Sequence, residues 1–382
     1  MNWKTTTTAL KFTYLASRLT MFNHRRLSLA RRRRRLTGKR LAELVGVTPA
    51  TITRLEKGHN EPEPETVDAL TKALDFPKEF FAGDDFDELT KEATSFRGLT
   101  SMTAKEREAA LAAGALAYML ADWVTDRFNL PDTDIIYLGY EADPPRAARI
   151  LREHWGLGEQ PVGNMVKLLE SKGARVFSLT ENTKTVDAFS CWRDDVPYIF
   201  LNTFKSAEHS RFDAAHELAH LVLHRHGGPH QGREAEREAN SFASSFLMPK
   251  ADVLAKIPYI TSLKQLIQAK KRWRVSVAAL AYRLHKIGLI TDWQYRSLCI
   301  QINKRGYHKN EPECIQHEES VVWKKVFSEL WAERITKKNI ADDLHIPTDE
   351  LEGLIFGLAG PTSPPSDLRE GHEKPVLRLV KK

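Results

Sequence analysis

The chain has 382 residues, 42% hydrophobic and 28% charged, an ordinary composition for a globular protein of two or three domains. Its longest apolar run, Ala109 to Ala121, lies between Glu108 and Asp122 and is too short to span a bilayer, which predicts a cytoplasmic protein without a membrane partner. Cys191, Cys299 and Cys314 lack paired spacing, which excludes a disulfide scaffold and a cysteine zinc site.

The net charge of +7 hides an asymmetry. Residues 1–60 hold fourteen lysines and arginines against two acids, Glu43 and Glu56, so the rest of the chain is net acidic and nucleic acid is the natural partner of the front end. Residues 1–20 are polar and threonine-rich and read as an extension, with Met21 as an alternative start.

The first domain is expected over 21–83. Between Arg40 and Gly58 the residues Ala42, Val47, Ile52 and Leu55 fall at core positions, Gly46 sits where a tight turn is needed, and Thr48 caps a helix that begins at Pro49. The pattern is a helix-turn-helix and resembles the Xre (lambda-repressor-like) family. That resemblance implies a five-helix domain completed by Glu61 to Phe81, with double-stranded operator DNA as partner. It turns Thr48, Pro49, Ala50, Thr51, Thr53 and Arg54 toward the major groove, with Arg54 reading a guanine through paired donors. Arg31 to Arg35, among them Arg31, Arg32 and Arg35, together with Lys39, would then grip phosphates. Two departures from the family are Pro49, which offers no side-chain donor, and Gly38, where a phosphate-clamping glutamine is common. A module of this kind can also form a homodimer or recognise another repressor-like protein instead of DNA.

Asp84 to Asp87 reads as a linker, and a second domain is expected over 84–255. Thr103 and Glu106 form a capping box for a helix running to Phe128, and Arg146 to His154 and Gly163 to Lys172 read as further helices. The period then changes. Arg175 to Leu179, Val186 to Trp192 and Tyr198 to Asn202 predict a small sheet, with Val186 to Trp192 either an edge that pairs with extended substrate or a plain structural strand.

Phe212 to His224 contains His-Glu-Leu-Ala-His inside alanine, leucine and valine, which predicts a buried helix. Four residues is about one turn, so His216 and His220 stack on one face as two nitrogen ligands for Zn²⁺, with Glu217 beside them as general base. Two packed core histidines are the bland alternative for this stretch alone. Arg233 to Met248, stopped by Pro249, is amphipathic, and Glu236, Asn240 and Ala243 share a face that meets the first helix. Glu236 can then supply a third ligand and Asn240 can hold the outer nitrogen of a ligand histidine, while Glu234 and Glu238 are expected in solvent. His224, one turn beyond His220, is read as a packed histidine or a donor to the oxyanion, His209, His226 and His230 as loop residues, and Gly227 to Pro229 as a loop over the cleft.

These two segments resemble the ImmA/IrrE family of zinc-dependent metallopeptidases, and the likeness runs from about Ser95 to Pro312. It implies that His216, His220 and Glu236 are the zinc ligands, in a gluzincin-like core with a short sheet backed by helices. It also implies cleavage of a repressor protein. Asn240 departs from the aspartate common in related zincins.

Beyond Pro249, Leu263 to Trp273 and Ser276 to Lys286 form a second helix-turn-helix-like pair within a helical region, 256–312, that serves either as a basic surface or as plain support. Residues 313–318 read as a polar linker, Val321 to Arg334 and Asn339 to Gly357 as a small bundle within 313–360, and 361–382 as a disordered tail. The expected fold class is therefore α+β and mostly helical. Three functions are carried forward: a repressor-cleaving zinc endopeptidase fused to a DNA-binding module, a DNA-binding regulator whose zincin-like domain docks a partner without proteolysis, and one half of a toxin-antitoxin or phage-defence pair.

Overall fold

A computed structural model describes residues 22–89, 94–96, 103–179, 188–225, 232–260 and 262–359. The expected N-terminal extension, the loop with His226 and His230, and the C-terminal tail lie outside these residues. The helices are α1 (His24–Arg33), α2 (Gly38–Val45), α3 (Pro49–Glu56), α4 (Pro64–Leu74), α5 (Ala104–Thr125), α6 (Pro144–His154), α7 (Met165–Ser171), α8 (Ala207–Leu223), α9 (Arg233–Leu247), α10 (Lys250–Lys256), α11 (Leu263–Lys270), α12 (Val277–Lys286), α13 (Asp292–Lys304), α14 (Val321–Ala332), α15 (Lys337–Leu344) and α16 (Thr348–Ile355). The strands are β1 (Thr94–Phe96), β2 (Arg175–Ser178), β3 (Ala188–Arg193) and β4 (Val196–Leu201). The chain is thus mostly helical with one small sheet, and no described helix is long and apolar enough to cross a membrane.

Two compact units emerge, and their boundaries cut across the sequence-based division. The first joins residues 1–89 to 102–126 and 330–354; the second holds 90–101, 127–329 and 355–382.

In the first unit, Asn23 caps α1 by accepting from the Arg25 and Arg26 amides, α2 stops at Gly46 in the left-handed region (φ 78°), and Thr48 caps α3. Leu27, Ala30, Leu41, Ile52, Leu55, Leu70 and Phe80 form the buried core of this bundle. Asp84 to Asp87, expected as a linker, lies against α1: the Asp84 carbonyl accepts from Arg26 Nε at 2.8 Å, and the Phe86 ring sits under the Arg25 guanidinium. The long helix α5 carries the expected capping box but packs against α1, not within the second unit. Its residues from Ala109 to Val124 are buried on nearly every side, so its sequence has no polar stripe to show which unit it serves.

The bundle is closed from far along the chain. Trp123 Nε1 donates to Asp343 at 3.1 Å, and Glu350, 2% exposed, accepts from Arg33 Nε at 2.6 Å and Arg34 Nη1 at 2.8 Å.

In the second unit the sheet order is β1-β3-β4-β2, with β2 parallel to β4 and the other pairings antiparallel. Strand β3, the expected candidate for a substrate-pairing edge, is an inner strand, because Thr94 to Phe96 already pair with Cys191 to Phe189. Stacked Phe189, Phe200 and Phe177 rings cover one face, and Trp323 closes it by donating Nε1 to the Val176 carbonyl. Helix α8 packs on β3 and β4, and α9 packs on α8.

Buried charges tie these helices together. Arg211 on α8 pairs with Glu318, whose other oxygen accepts from the Met165 and Val166 amides at the start of α7. Residues 313–318 are thus more than a linker, since Glu318 is 9% exposed and anchors two helices. Glu170 likewise accepts from the Ser320 hydroxyl and from the Val321 and Val322 amides at the start of α14.

Candidate metal centre and nucleic-acid interface

Helix α8 begins at Ser206, whose hydroxyl accepts from the His209 amide, and runs buried to Leu223. With 3.6 residues per turn, His216 and His220 leave the same face. Their Nε2 atoms lie 3.0 Å apart, and Glu236 of α9 reaches both, Oε2 at 3.4 Å from His216 Nε2 and Oε1 at 3.4 Å from His220 Nε2. The three donor atoms fall within 4.8 Å of one another. Two imidazole nitrogens and one carboxylate oxygen in a mostly buried pocket are a donor set suited to zinc with a position left open. Burial works to raise the Glu236 carboxyl, but its contacts with the two rings outweigh this and hold it well below the usual carboxylate range.

Glu217 projects from the next position on α8 and is 1% exposed. Ser190 on β3 donates its hydroxyl to Glu217 Oε2 at 2.8 Å and holds the carboxylate beside the two imidazoles. The sequence read Ser190 only as a strand residue. Its role depends on β3 lying against α8, which no local pattern encodes.

Two further acidic-helix residues fall differently from expectation. Asn240, expected on a ligand histidine, donates its amide to the Glu236 carbonyl one turn back at 2.8 Å and so steadies the segment that carries Glu236. Glu238, expected in solvent, accepts from or shares a proton with His224 Nε2 at 2.9 Å, and His224 Nδ1 lies 3.0 Å from His220 Nδ1. His220 is therefore gripped from behind by a His224 and Glu238 pair, the arrangement that orients a ligand imidazole and selects its tautomer. The sequence alone leaves His224 between a donor to the oxyanion and a packed histidine. His209 is on the first turn of α8 near Lys205 and Asp213, away from the donor triad.

In the first unit, α3 presents Thr48, Ala50, Thr53 and Arg54 as exposed residues, with Thr51 half-buried. Thr48 Oγ1 is 2.8 Å from Thr51 Oγ1, and Thr53 Oγ1 donates to the Pro49 carbonyl at 3.0 Å, so these hydroxyls also serve the helix itself. Lys39 and Arg35 are exposed as well. Arg31 and Arg32, expected on phosphates, are turned inward: Arg31 forms a paired contact with Glu56 (2.6 and 3.1 Å), and Arg32 meets Glu88 at 3.0 Å. With Arg33 and Arg34 on Glu350, most of the arginine run is neutralised within the protein.

With this geometry in place, comparison with known families gives two matches. A model for the IrrE N-terminal-like domain (Peptidase_M78) matches residues 169–285, and a helix-turn-helix model (HTH_3) matches residues 27–81. The first begins in α7 and ends in α12, so it takes in β2 to β4 and both helices of the donor triad. No curated protein matches the chain. The chain thus joins an Xre-like helix-turn-helix domain to an IrrE N-terminal-like, metallopeptidase-type domain.

Proposed function

We propose that this chain is a zinc-dependent endopeptidase that cleaves a transcriptional repressor of phage, mobile-element or stress-response type and thereby derepresses genes. The observation that carries the proposal is the convergence of His216, His220 and Glu236 on one point, with the buried Glu217 carboxylate beside it. His216, His220 and Glu236 would hold the ion, which when bound supplies Lewis acidity to a scissile carbonyl and lowers the pKa of water.

The chain's own residues supply the rest. Glu217 takes a proton from the attacking water and delivers it to the leaving amine, and the Ser190 hydroxyl keeps its oxygen aimed. His224 and Glu238 hold the His220 ring, and Asn240 steadies Glu236 through its carbonyl. A helix-turn-helix on the same polypeptide raises the local concentration of the peptidase at operators where its repressor substrate sits.

The test is to co-express the chain with candidate repressor proteins of the Xre type and identify fragments by mass spectrometry. Wild type is expected to yield one or a few discrete cuts that a chelator prevents. Glu217→Gln is expected to cut about a thousandfold more slowly while still binding DNA. Derepression by Glu217→Gln as strong as by wild type overturns the proposal in favour of docking without turnover.

A further inference from the structure

The second unit holds a half-open cavity of about 790 Å³ bordered by α6, α10, α12 and the C-terminal half of α9, with none of His216, His220 and Glu236 in its wall. That volume is in the range of small-molecule sites. Its wall carries the cations Arg146, Arg149, Arg283 and Lys286, of which Arg146 meets Glu141 at 3.3 Å, together with Leu254 and with Tyr282, whose ring centroid lies 5.5 Å from Lys286 Nζ.

Two of its guanidiniums are buried without a carboxylate in contact. Arg152, 3% exposed, donates to the carbonyls of Gly158, Gln160 and Phe246. Arg283, 7% exposed, donates Nε to the Met248 carbonyl and Nη1 to Ser245 Oγ at 2.9 Å. Glu159 and Asp252 act on them only from a distance, and Asp252 is engaged by Arg272 and Trp273. Burial pulls Arg283 down to about 10 and lowers Arg152. A buried cation that meets only carbonyls and a hydroxyl lacks the counter-charge that ordinarily offsets its desolvation. Ser244, another residue of the cavity wall, is 2% exposed and its hydroxyl has no hydrogen-bond partner. The acids of the wall, Asp143, Glu153 and Glu159, are exposed, and Glu153 meets Arg149 only at 3.8 Å.

We propose that this cavity is a nucleotide site, in which phosphate groups complete the coordination of Arg283 and Ser244 between Arg149 and Lys286, and the base lies against Tyr282. A simple anion would satisfy the arginine but leave most of 790 Å³ and the Tyr282 surface unused. A phosphoester with an aromatic group uses both the buried guanidinium and the Tyr282 ring. The site is separate from the peptidase reading, because binding, not cleavage, is what reveals it.

The experiment is calorimetric titration of the full chain with ATP, and in parallel with inorganic phosphate and with adenosine. ATP is expected to bind at least tenfold more tightly than either fragment. Lys286→Glu and Arg149→Glu, both at exposed positions that the fold tolerates, are each expected to weaken ATP at least tenfold, as is Arg283→Gln. Arg54→Ala, on the helix-turn-helix, is expected to leave ATP affinity unchanged. Absence of ATP binding, phosphate binding as tight as ATP, or ATP affinity indifferent to Lys286→Glu and Arg149→Glu overturns the proposal.

Discussion

The two units use charged side chains in opposite ways. In the helix-turn-helix unit the basic run is mostly turned inward, onto Glu56, Glu88 and Glu350, and the exposed side of α3 is left with small residues and a single arginine, Arg54. In the peptidase-type unit the charged groups are gathered at the centre of α8, where His216, Glu217, His220, Arg211 and Asp213 are all buried. The lesson is that an excess of arginine in a sequence does not measure the charge offered to DNA. A buried acidic and imidazole cluster, by contrast, marks chemistry, because desolvated charges persist only where partners hold them.

This contrast can be broken most severely at Glu350. Glu350→Ala strands Arg33 and Arg34 against a closed bundle and is expected to cost about 3–5 kcal/mol of stability in the first unit, read as a lowered unfolding midpoint. Zinc affinity should survive in that variant if the second unit folds intact. The next effect is at the ligand support: Glu238→Ala or His224→Ala is expected to weaken zinc about 10–100-fold, measured by competition with a chelating dye, without altering operator binding.

A smaller and pH-dependent effect comes from Glu170. Burial, working against its hydrogen bonds from Ser320 and the α14 amides, pushes its carboxyl up from 4.5 to about 6. A carboxyl raised in the fold favours folding while protonated, below 4.5, and loses that contribution as pH rises through about 6. The stability advantage of wild type over Glu170→Gln is therefore expected to shrink by about 2 kcal/mol between pH 4.5 and 7, measured by denaturant unfolding. The smallest effect is at Arg54, where Arg54→Ala is expected to weaken operator binding about tenfold and relax preference at one base pair, in a gel-shift titration over variant sites. An unchanged affinity would move base reading off α3 altogether.

What could be read from the chain was local. Gly46 and the Thr48-Pro49 pair state their turn and cap within a few residues, and His216, Glu217 and His220 state their geometry within one helical turn. Glu236 was also legible, because the three-four repeat of α9 fixes which face turns inward. What was not legible depends on how separate segments meet. Glu238 finds His224 only through the crossing of α8 and α9, Ser190 finds Glu217 only through the sheet, and Glu350 finds Arg33 from 317 positions away. The inner position of β3 was hidden for a similar reason, since its neighbour β1 is three residues long and lies far upstream.

The chain passes between its two units five times, near residues 89, 101, 126, 329 and 354. Cutting the gene after residue 89 would thus strip the helix-turn-helix of α5 and of Glu350, while the downstream fragment would carry α5 without the helix α1 it packs against. Helix-turn-helix and peptidase-type units built from alternating segments in this fashion are expected to be inherited, expressed and lost together, because neither can be transplanted as a contiguous segment.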